Sequence, residues 1–521
     1  MNRDSKLWTY VFFATLIFSA FVLTLDFNGP WIEEDNYYGA IYAQAAHNNL
    51  RAGLLTTGGL PATLYFGPLP IPADAYYVHH PTLLPLLVTA SFAMFGESEW
   101  TARLVPVTCS LLSLVLLWFL VRSSASRRTA AFVTAIFAAV PMQLHYGEMV
   151  DFEPCLTMIF IAALLCLRRW QLTGSTAWQI ATALCCLLAM WMDWPGYLFV
   201  ITLAGWLMIG ATKKQPRFAI VLLALGTISG IGFLLQIRLG NPDAWSDLWH
   251  ALTMRLSSGT DIGDVKIRAE HFTAAQWIRT VGGWMLHNYF AITWLLVLIG
   301  AARALTDKRF GPLGVAALVV SIAGALYVVV LKNESYIHDF ASFYLLPAVA
   351  ILAGLALDWL VEAFDAVSPK LAASAAIAAL IAFGWCGYVR AENLRSPFYM
   401  LDGETPESRR LIPALGKTLA EIFPQNVTIL CNFDPYGSVL PFYAQRMILN
   451  NLATYDDWQY QLAHDTPPFG GIIWLDAPGA GEIVSHLPAN EVRNIEVEGA
   501  RFAVWNQPRG VNSSTSPDSV R

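Results

Sequence analysis

Apolar residues fall along this chain in long blocks, with polar residues collected between them. Each block is near the roughly 20 residues that an α-helix needs to cross a hydrocarbon core of about 30 Å. The pattern predicts eleven transmembrane helices, at 8–26, 102–121, 129–147, 152–167, 177–193, 195–211, 218–237, 286–302, 311–331, 340–361 and 371–389. The first block has no clear small-residue cleavage site after it and reads as an uncleaved helix. Beyond about residue 390 the pattern changes: charges return and apolar runs shorten to strand length. Residues 427–431 and 471–475 read as buried strands, 494–505 as a further extended region and 409–422 as a helix, which together predict a small α/β domain. The Ser-rich end, 511–521, reads as disordered.

Charge placement orients these elements. With the N-terminus in the cytoplasm, the loops on that side carry Arg122, Arg127 and Arg128; Arg168 and Arg169; Lys213, Lys214 and Arg217; Arg303, Lys308 and Arg309; and Lys370. This is the distribution that the positive-inside rule demands. Counting the apolar stretch 81–95 as a span would invert it. That stretch is also short and carries Pro81 and Pro85, so it reads as an interfacial or re-entrant helix. The resulting division is a transmembrane domain at 1–390, with a first external loop at 27–101 that includes interfacial helices, and an extracytoplasmic domain at 391–510. Integral placement in a membrane, with the N-terminus cytoplasmic and the C-terminal domain outside, follows.

Composition narrows the function classes. Of 521 residues, 56% are hydrophobic and 13% charged, against roughly 25% charged in soluble domains. The net charge of -6 comes without any basic tract, which argues against a nucleic-acid partner. The 7 cysteines lie mostly inside apolar blocks and form no disulfide framework. There is no phosphate-binding glycine loop of the GxxxxGK[ST] type, no dinucleotide fingerprint and no HExxH. A soluble nucleotide donor or a tightly bound cofactor is therefore not expected.

The residues able to do chemistry gather on the predicted outer side. Glu33, Glu34 and Asp35 follow the first helix, where a carboxylate can serve as a general base toward a hydroxyl; a solvated acidic loop is the plain alternative. Asp151 and Glu153, with Pro154, lie at the outer end of the third helix, where an N-cap is the competing reading for Asp151. His79 and His80 precede the 81–95 helix at head-group height and can hydrogen-bond a phosphate; two adjacent histidines without a third ligand are a weak signal for a divalent metal. Arg103, Arg255 and Lys332 are outer cations suited to a phosphate leaving group, or to snorkelling toward lipid head groups. Tyr37, Tyr38, His338 and Tyr344 complete an aromatic and polar rim suited to a sugar or an acceptor.

Four landmarks in order carry a family resemblance: Glu34-Asp35-Asn36-Tyr37-Tyr38-Gly39-Ala40, His79-His80-Pro81 through Phe95-Gly96, Glu99-Trp100-Thr101-Ala102-Arg103-Leu104, and Glu153-Pro154. Over roughly 8–390 the chain resembles the polytopic GT-C glycosyltransferases of the family 39 type, the group of the protein O-mannosyltransferases and the lipid A aminoarabinose transferases. The resemblance implies an all-α polytopic fold with a small C-terminal α/β extracytoplasmic domain. It also implies an inverting transfer from a polyprenyl-phosphate sugar to a glycolipid, glycan or protein hydroxyl. In that family the first-loop acid is the base and cations hold the lipid phosphate, which implies Asp35 or Glu34 as base and Arg103, His79 and His80 near the phosphate. Glu-Asp here replaces the usual Asp-Glu order, and His79-His80 stands where relatives have Lys-Pro. The main alternative is a lipid or glycolipid transporter; the gathering of polar residues at the outer rim rather than along the helix middles argues against it.

Overall fold

The structure, a computed structural model, describes residues 3–31, 36–210, 212, 214–258, 271–365, 367–394, 411–425, 427–431, 433, 439–449, 469–475 and 492–506. It divides into two compact units. The first comprises Met1–Phe27, Tyr77–Ser91 and Trp100–Arg395; the second comprises Asn28–Tyr76, Phe92–Glu99 and Ser396–Arg521. This grouping cuts across the linear division at residue 390, because two pieces of the first loop fall with the tail.

The first unit is helical. Among the described residues seven helices are long and apolar enough to span a bilayer: Lys6–Leu23, Glu99–Arg122, Phe152–Thr173, Lys214–Gly240, Lys308–Val330, Asp339–Asp365 and Pro369–Glu392. Seven of the eleven expected spans correspond to these. Two more, expected at 177–193 and 195–211, are the shorter apolar helices Thr176–Met192 and Pro195–Met208. The remaining two depart from the expectation for backbone reasons that hydropathy does not register. The stretch expected as one helix at 129–147 is Arg127–Ala139 and Pro141–Tyr146, separated by Val140 in an extended conformation (ψ 144°). A residue before proline is pushed out of the helical region by the proline ring. The stretch expected at 286–302 is also not one straight span. Ala274–Tyr289 and Ala291–Thr306 meet at 87°, and Phe290 between them has φ 63°. The 81–95 stretch is helical over Leu83–Phe95.

Burial sorts the helices by role. In Asp339–Asp365, 89% of the apolar window is enclosed, against 22% in Pro369–Glu392. The former is the centre of the bundle and the latter lies on its outside. Neighbours reach the central helix through glycine. A Cβ on Gly300 would sit 1.8 Å from the Leu352 carbonyl oxygen, and one on Gly354 would sit 2.8 Å from the Val133 backbone. Small residues at such crossings are the usual device for close helix packing in a membrane. One end of the bundle is tied by charge. Asp358 accepts from Arg128 at 2.8 Å and faces Arg303 at 3.6 Å; Arg303 also pairs with Glu362 at 2.6 Å, and Arg128 with Asp365.

Among the described residues of the second unit the tail forms a five-stranded sheet: β1 (Thr428–Cys431), β2 (Met447–Leu449), β3 (Phe469–Leu475), β4 (Val492–Val497) and β5 (Ala500–Asn506), in the order β2-β1-β3-β5-β4. β1 pairs in parallel with β2 and β3, while β5 pairs antiparallel with β3 and β4. The region expected as one extended stretch at 494–505 is a hairpin turned at Glu498 and Gly499, both with positive φ. Leu411–Ile422 supplies the predicted helix. Tyr443 shows why loop and tail group together: its hydroxyl accepts from the Trp31 backbone N–H at 2.8 Å and donates to Glu99 at 2.7 Å.

Candidate functional site

The first unit builds a buried polar cluster from five short pieces of chain. Helix Phe152–Thr173 starts at Asp151, whose carboxylate accepts from the Phe152 N–H at 2.8 Å. The N-cap reading of Asp151 is thus realised. Pro154 in the first turn lacks an N–H that would have been orphaned anyway. This start places Glu153 inward, 3% exposed. The turn between Thr176–Met192 and Pro195–Met208 contributes Asp193, 1% exposed. The 3₁₀ segment Asp339–Leu345 contributes Tyr344. Its hydroxyl lies 3.2 Å from Glu153 Oε1 and 3.2 Å from Asp193 Oδ2. A phenol has one hydrogen to give, so one hydroxyl serves two carboxylates. Glu153 Oε2 is buried and meets no donor among the described residues.

Histidine and arginine close the other side. His80 Nδ1 is 2.7 Å from Asp193 Oδ1, and its Nε2 is 2.9 Å from Arg255 Nη2. Arginine can only donate. The network therefore assigns His80 the tautomer with its proton on Nδ1, given to Asp193, and with Nε2 accepting from Arg255. The ring stacks on Phe152, with centroids 4.8 Å apart. Arg255, in the last turn of Ala244–Leu256, gives its Nε–H to Glu334 at 2.8 Å. Glu334 in turn faces His338 at 3.6 Å. Trp194 fixes the neighbouring backbone by donating to the His79 carbonyl at 2.7 Å.

Electrostatics follow from this packing. Burial alone would push the Glu334 carboxyl up, but Arg255, with His338 and His80, outweighs it and holds the group down at about 2. Burial works against the Arg255 cation, yet Glu334 and Tyr77 more than offset it and its pKa is raised. Burial, reinforced by Arg255 and His80, lowers His79 to about 4. Burial pushes the Tyr77 phenol up to about 12. One permanent cation, held by Glu334, His80 and Tyr77, thus shares this cluster with four buried or half-buried acids: Asp151, Glu153, Asp193 and Glu334.

Of the residues singled out from sequence, this cluster brings together His79, His80, Asp151, Glu153, Arg255, His338 and Tyr344. Arg103 is buried, with the Phe27 carbonyl at 3.3 Å among the contacts of its guanidinium, and Lys332 is exposed at the start of its helix. Tyr37 and Tyr38 lie in the second unit, packed edge to face on helix Asn36–Ala52. Glu33, Glu34 and Asp35 lie outside the described residues. Two members were missed. Asp193 shares the acid-then-proline signature of Glu153-Pro154, in Asp193-Trp194-Pro195. Glu334 sits inside Asn333-Glu334-Ser335, which matches a glycosylation sequon although Asn333 is only 1% exposed. No group of three or more metal-ligating side chains is assembled among the described residues.

Comparison with known proteins gives this arrangement a context. Residues 79–235 match the family model described as dolichyl-phosphate-mannose-protein mannosyltransferase, a stretch that holds His79, His80, Asp151, Glu153 and Asp193. The structure is similar to that of ArnT from Cupriavidus metallidurans bound to undecaprenyl phosphate, with a TM-score of 0.65 and 15% identity, covering 95% of this chain and 97% of that one. It is also similar to the oligosaccharyltransferase AglB from Archaeoglobus fulgidus, in complex with an inhibitory peptide and a dolichol-phosphate. There the TM-score is 0.55 and the identity 14%, over 90% of this chain and 69% of the other. No curated protein matches the sequence. The fold is therefore that of the GT-C glycosyltransferases, as the motif order implied, and the chain is an integral membrane protein.

Proposed function

We infer that this protein is an inverting glycosyltransferase that moves a sugar from a polyprenyl-phosphate-type carrier to an acceptor hydroxyl. The observation that carries the reading is Arg255. Glu334, His80 and Tyr77 hold its guanidinium, while a guanidinium has five N–H donors, which leaves donors for a ligand. A phosphate leaving group needs preorganised positive charge where its own charge develops. The likeness to structures holding undecaprenyl phosphate and a dolichol-phosphate supports the same chemistry.

In this reading the acceptor oxygen forms a bond to the anomeric carbon. The bond from that carbon to the phosphate oxygen breaks, and its electron pair leaves with the lipid phosphate toward Arg255. The acceptor proton passes to Asp35 or Glu34. His80 is a positioning residue, because both its nitrogens are engaged in holding Arg255 to Asp193. Glu153, through its free oxygen, and Asp193 accept from sugar hydroxyls. Tyr37, Tyr38 and His338 serve the sugar or acceptor, and Arg103 and Lys332 are further outer cations available to the phosphate. The reaction takes place on the outer face of a bacterial inner membrane, with the N-terminus in the cytoplasm.

The test is release of polyprenyl phosphate by the purified full-length protein from a panel of labelled polyprenyl-phosphate sugars. Asp35→Asn or Glu34→Gln should lower the rate by about 10²- to 10⁴-fold, the range for loss of a general base. No release by the wild type from any donor, with crude membrane acceptors present, would turn the reading toward lipid transport.

A further inference from the structure

A second polar feature lies at the opposite end of the helix that begins at Asp151. Arg168 follows Asp151 by 17 residues (168 − 151), which is about 25 Å along a helix rising roughly 1.5 Å per residue. Beside it is a cavity of about 190 Å³ between four helices. An apolar cavity of about 150 Å³ already accommodates a benzene ring, so this one admits part of an aliphatic chain. Leu164, Leu203 and Val319 stand for its largely aliphatic wall, and Ser124, Arg168 and Gln171 are polar groups on its lining.

The guanidinium is the group that calls for an occupant. Arg168 Nε is buried and meets no acceptor among the described residues. Leaving a buried N–H unmatched is unfavourable, more so on a charged group. The acids at this end are already engaged: Asp358, Asp365 and Glu362 by Arg128 and Arg303, and Asp307 by Arg309. What satisfies both surfaces at once is an amphiphile with an aliphatic tail and an anionic head.

We propose that this cavity binds an anionic phospholipid of the surrounding leaflet, one acyl chain lying along the aliphatic wall and the head-group phosphate accepting from Arg168 and Gln171. Free phosphate would leave the wall unfilled, and a zwitterionic lipid would bring its own cation to a guanidinium. The site lies a membrane's thickness from the Arg255 cluster and does not depend on the transferase reading.

The experiment is native mass spectrometry of the full-length protein in detergent, titrated separately with phosphatidylglycerol, phosphatidylcholine and decaprenyl phosphate of matched concentration. The wild type should prefer phosphatidylglycerol to phosphatidylcholine by about fivefold, the worth of one basic group near an anionic lipid surface. Arg168→Gln should abolish that preference while keeping the phosphatidylcholine binding, and Arg169→Gln, altering the exposed neighbour, should keep it intact. Ala316→Phe, or Leu164→Phe should the first variant not fold, should weaken both lipids by filling the cavity. Unchanged selectivity in Arg168→Gln would overturn the proposal, as would undiminished binding when the cavity is filled. A preference for decaprenyl phosphate that disappears with Arg168→Gln would overturn the occupant.

Discussion

The two ends of the central helix hold buried charge in opposite ways. At one end Asp358 is shared by Arg128 and Arg303, and Glu362 and Asp365 supply further partners. At the other end, beyond Tyr344, one arginine shares its cluster with four acids, one phenol serves two carboxylates and Glu153 Oε2 has no donor among the described residues. Asp358 follows Tyr344 by 14 residues (358 − 344), about 20 Å on one helix, so both clusters belong to the same scaffold. At the first end each of the three acids has an arginine partner, which is what fixing helices requires, while Arg303 Nη1 and, on a neighbouring helix, Arg168 Nε meet no acceptor among the described residues. A network missing hydrogen-bond partners is unfavourable by itself and is completed only by something bound. Under the proposed function that contrast separates fixing helices from binding a ligand within one bundle, and it predicts that damage at the two ends will be read by different instruments.

The largest expected effect is on turnover. Arg255→Gln should lower kcat by about 10²- to 10³-fold, the range for removing one preorganised donor from a developing anion, with the folded protein still obtained. Next is Asp358→Asn. Breaking a buried pair by removing one partner destabilises by about 3–5 kcal/mol; because Arg128 is partly exposed and Arg303 keeps Glu362, a loss of about 1–3 kcal/mol is expected. Thermal unfolding should report that loss while kcat per folded molecule stays near the wild-type value. If Asp358→Asn proves as inactive as Arg255→Gln with normal stability, the division between the ends fails.

Smaller effects sharpen the picture. Tyr344→Phe removes the hydrogen shared by Glu153 and Asp193 and should destabilise by about 1–3 kcal/mol, the cost of a buried group left unmatched. Added donor substrate should recover more of that loss than it recovers for Asp358→Asn. Acidification is a separate probe. His79 titrates at about 4 in the folded protein, below the ordinary histidine value of about 6.5. Between those values the unfolded chain binds a proton that the folded one refuses, so stability falls as pH drops from about 6.5 to about 4. Glu334, at about 2 when folded, extends the loss from about 4.5 downward in the same sense. In His79→Asn the melting temperature should fall less over the upper window than in the wild type and fall as before over the lower one.

Most of this was legible in the sequence wherever side-chain chemistry and periodicity decide structure. Long apolar blocks gave the spans, and shortened runs gave β1, β3 and the β4–β5 region. Glu153-Pro154 and His79-His80 marked two of the pieces that meet in the buried polar cluster. What stayed hidden depends on backbone geometry or on partners distant along the chain. The 87° turn at Phe290 interrupts an apolar run that hydropathy reads as continuous. Arg255 was visible as an outer cation, but its anchors Glu334 and His80 lie 79 and 175 residues away in sequence, and nothing local pairs them. Arg103 carried the same signal as Arg255. A basic residue at a helix end reads alike whether its guanidinium reaches a backbone carbonyl, as in Arg103, or a distant glutamate and histidine, as in Arg255.

The most direct measurement is single-turnover release of polyprenyl phosphate by the wild type, Arg255→Gln and Arg303→Gln, each normalised to folded protein. The account predicts that Arg255→Gln loses about two to three orders of magnitude while Arg303→Gln releases the carrier at close to the wild-type rate despite a lower melting temperature. Equal rates in wild type and Arg255→Gln would contradict it, because the lipid phosphate would then be leaving toward some other part of the protein.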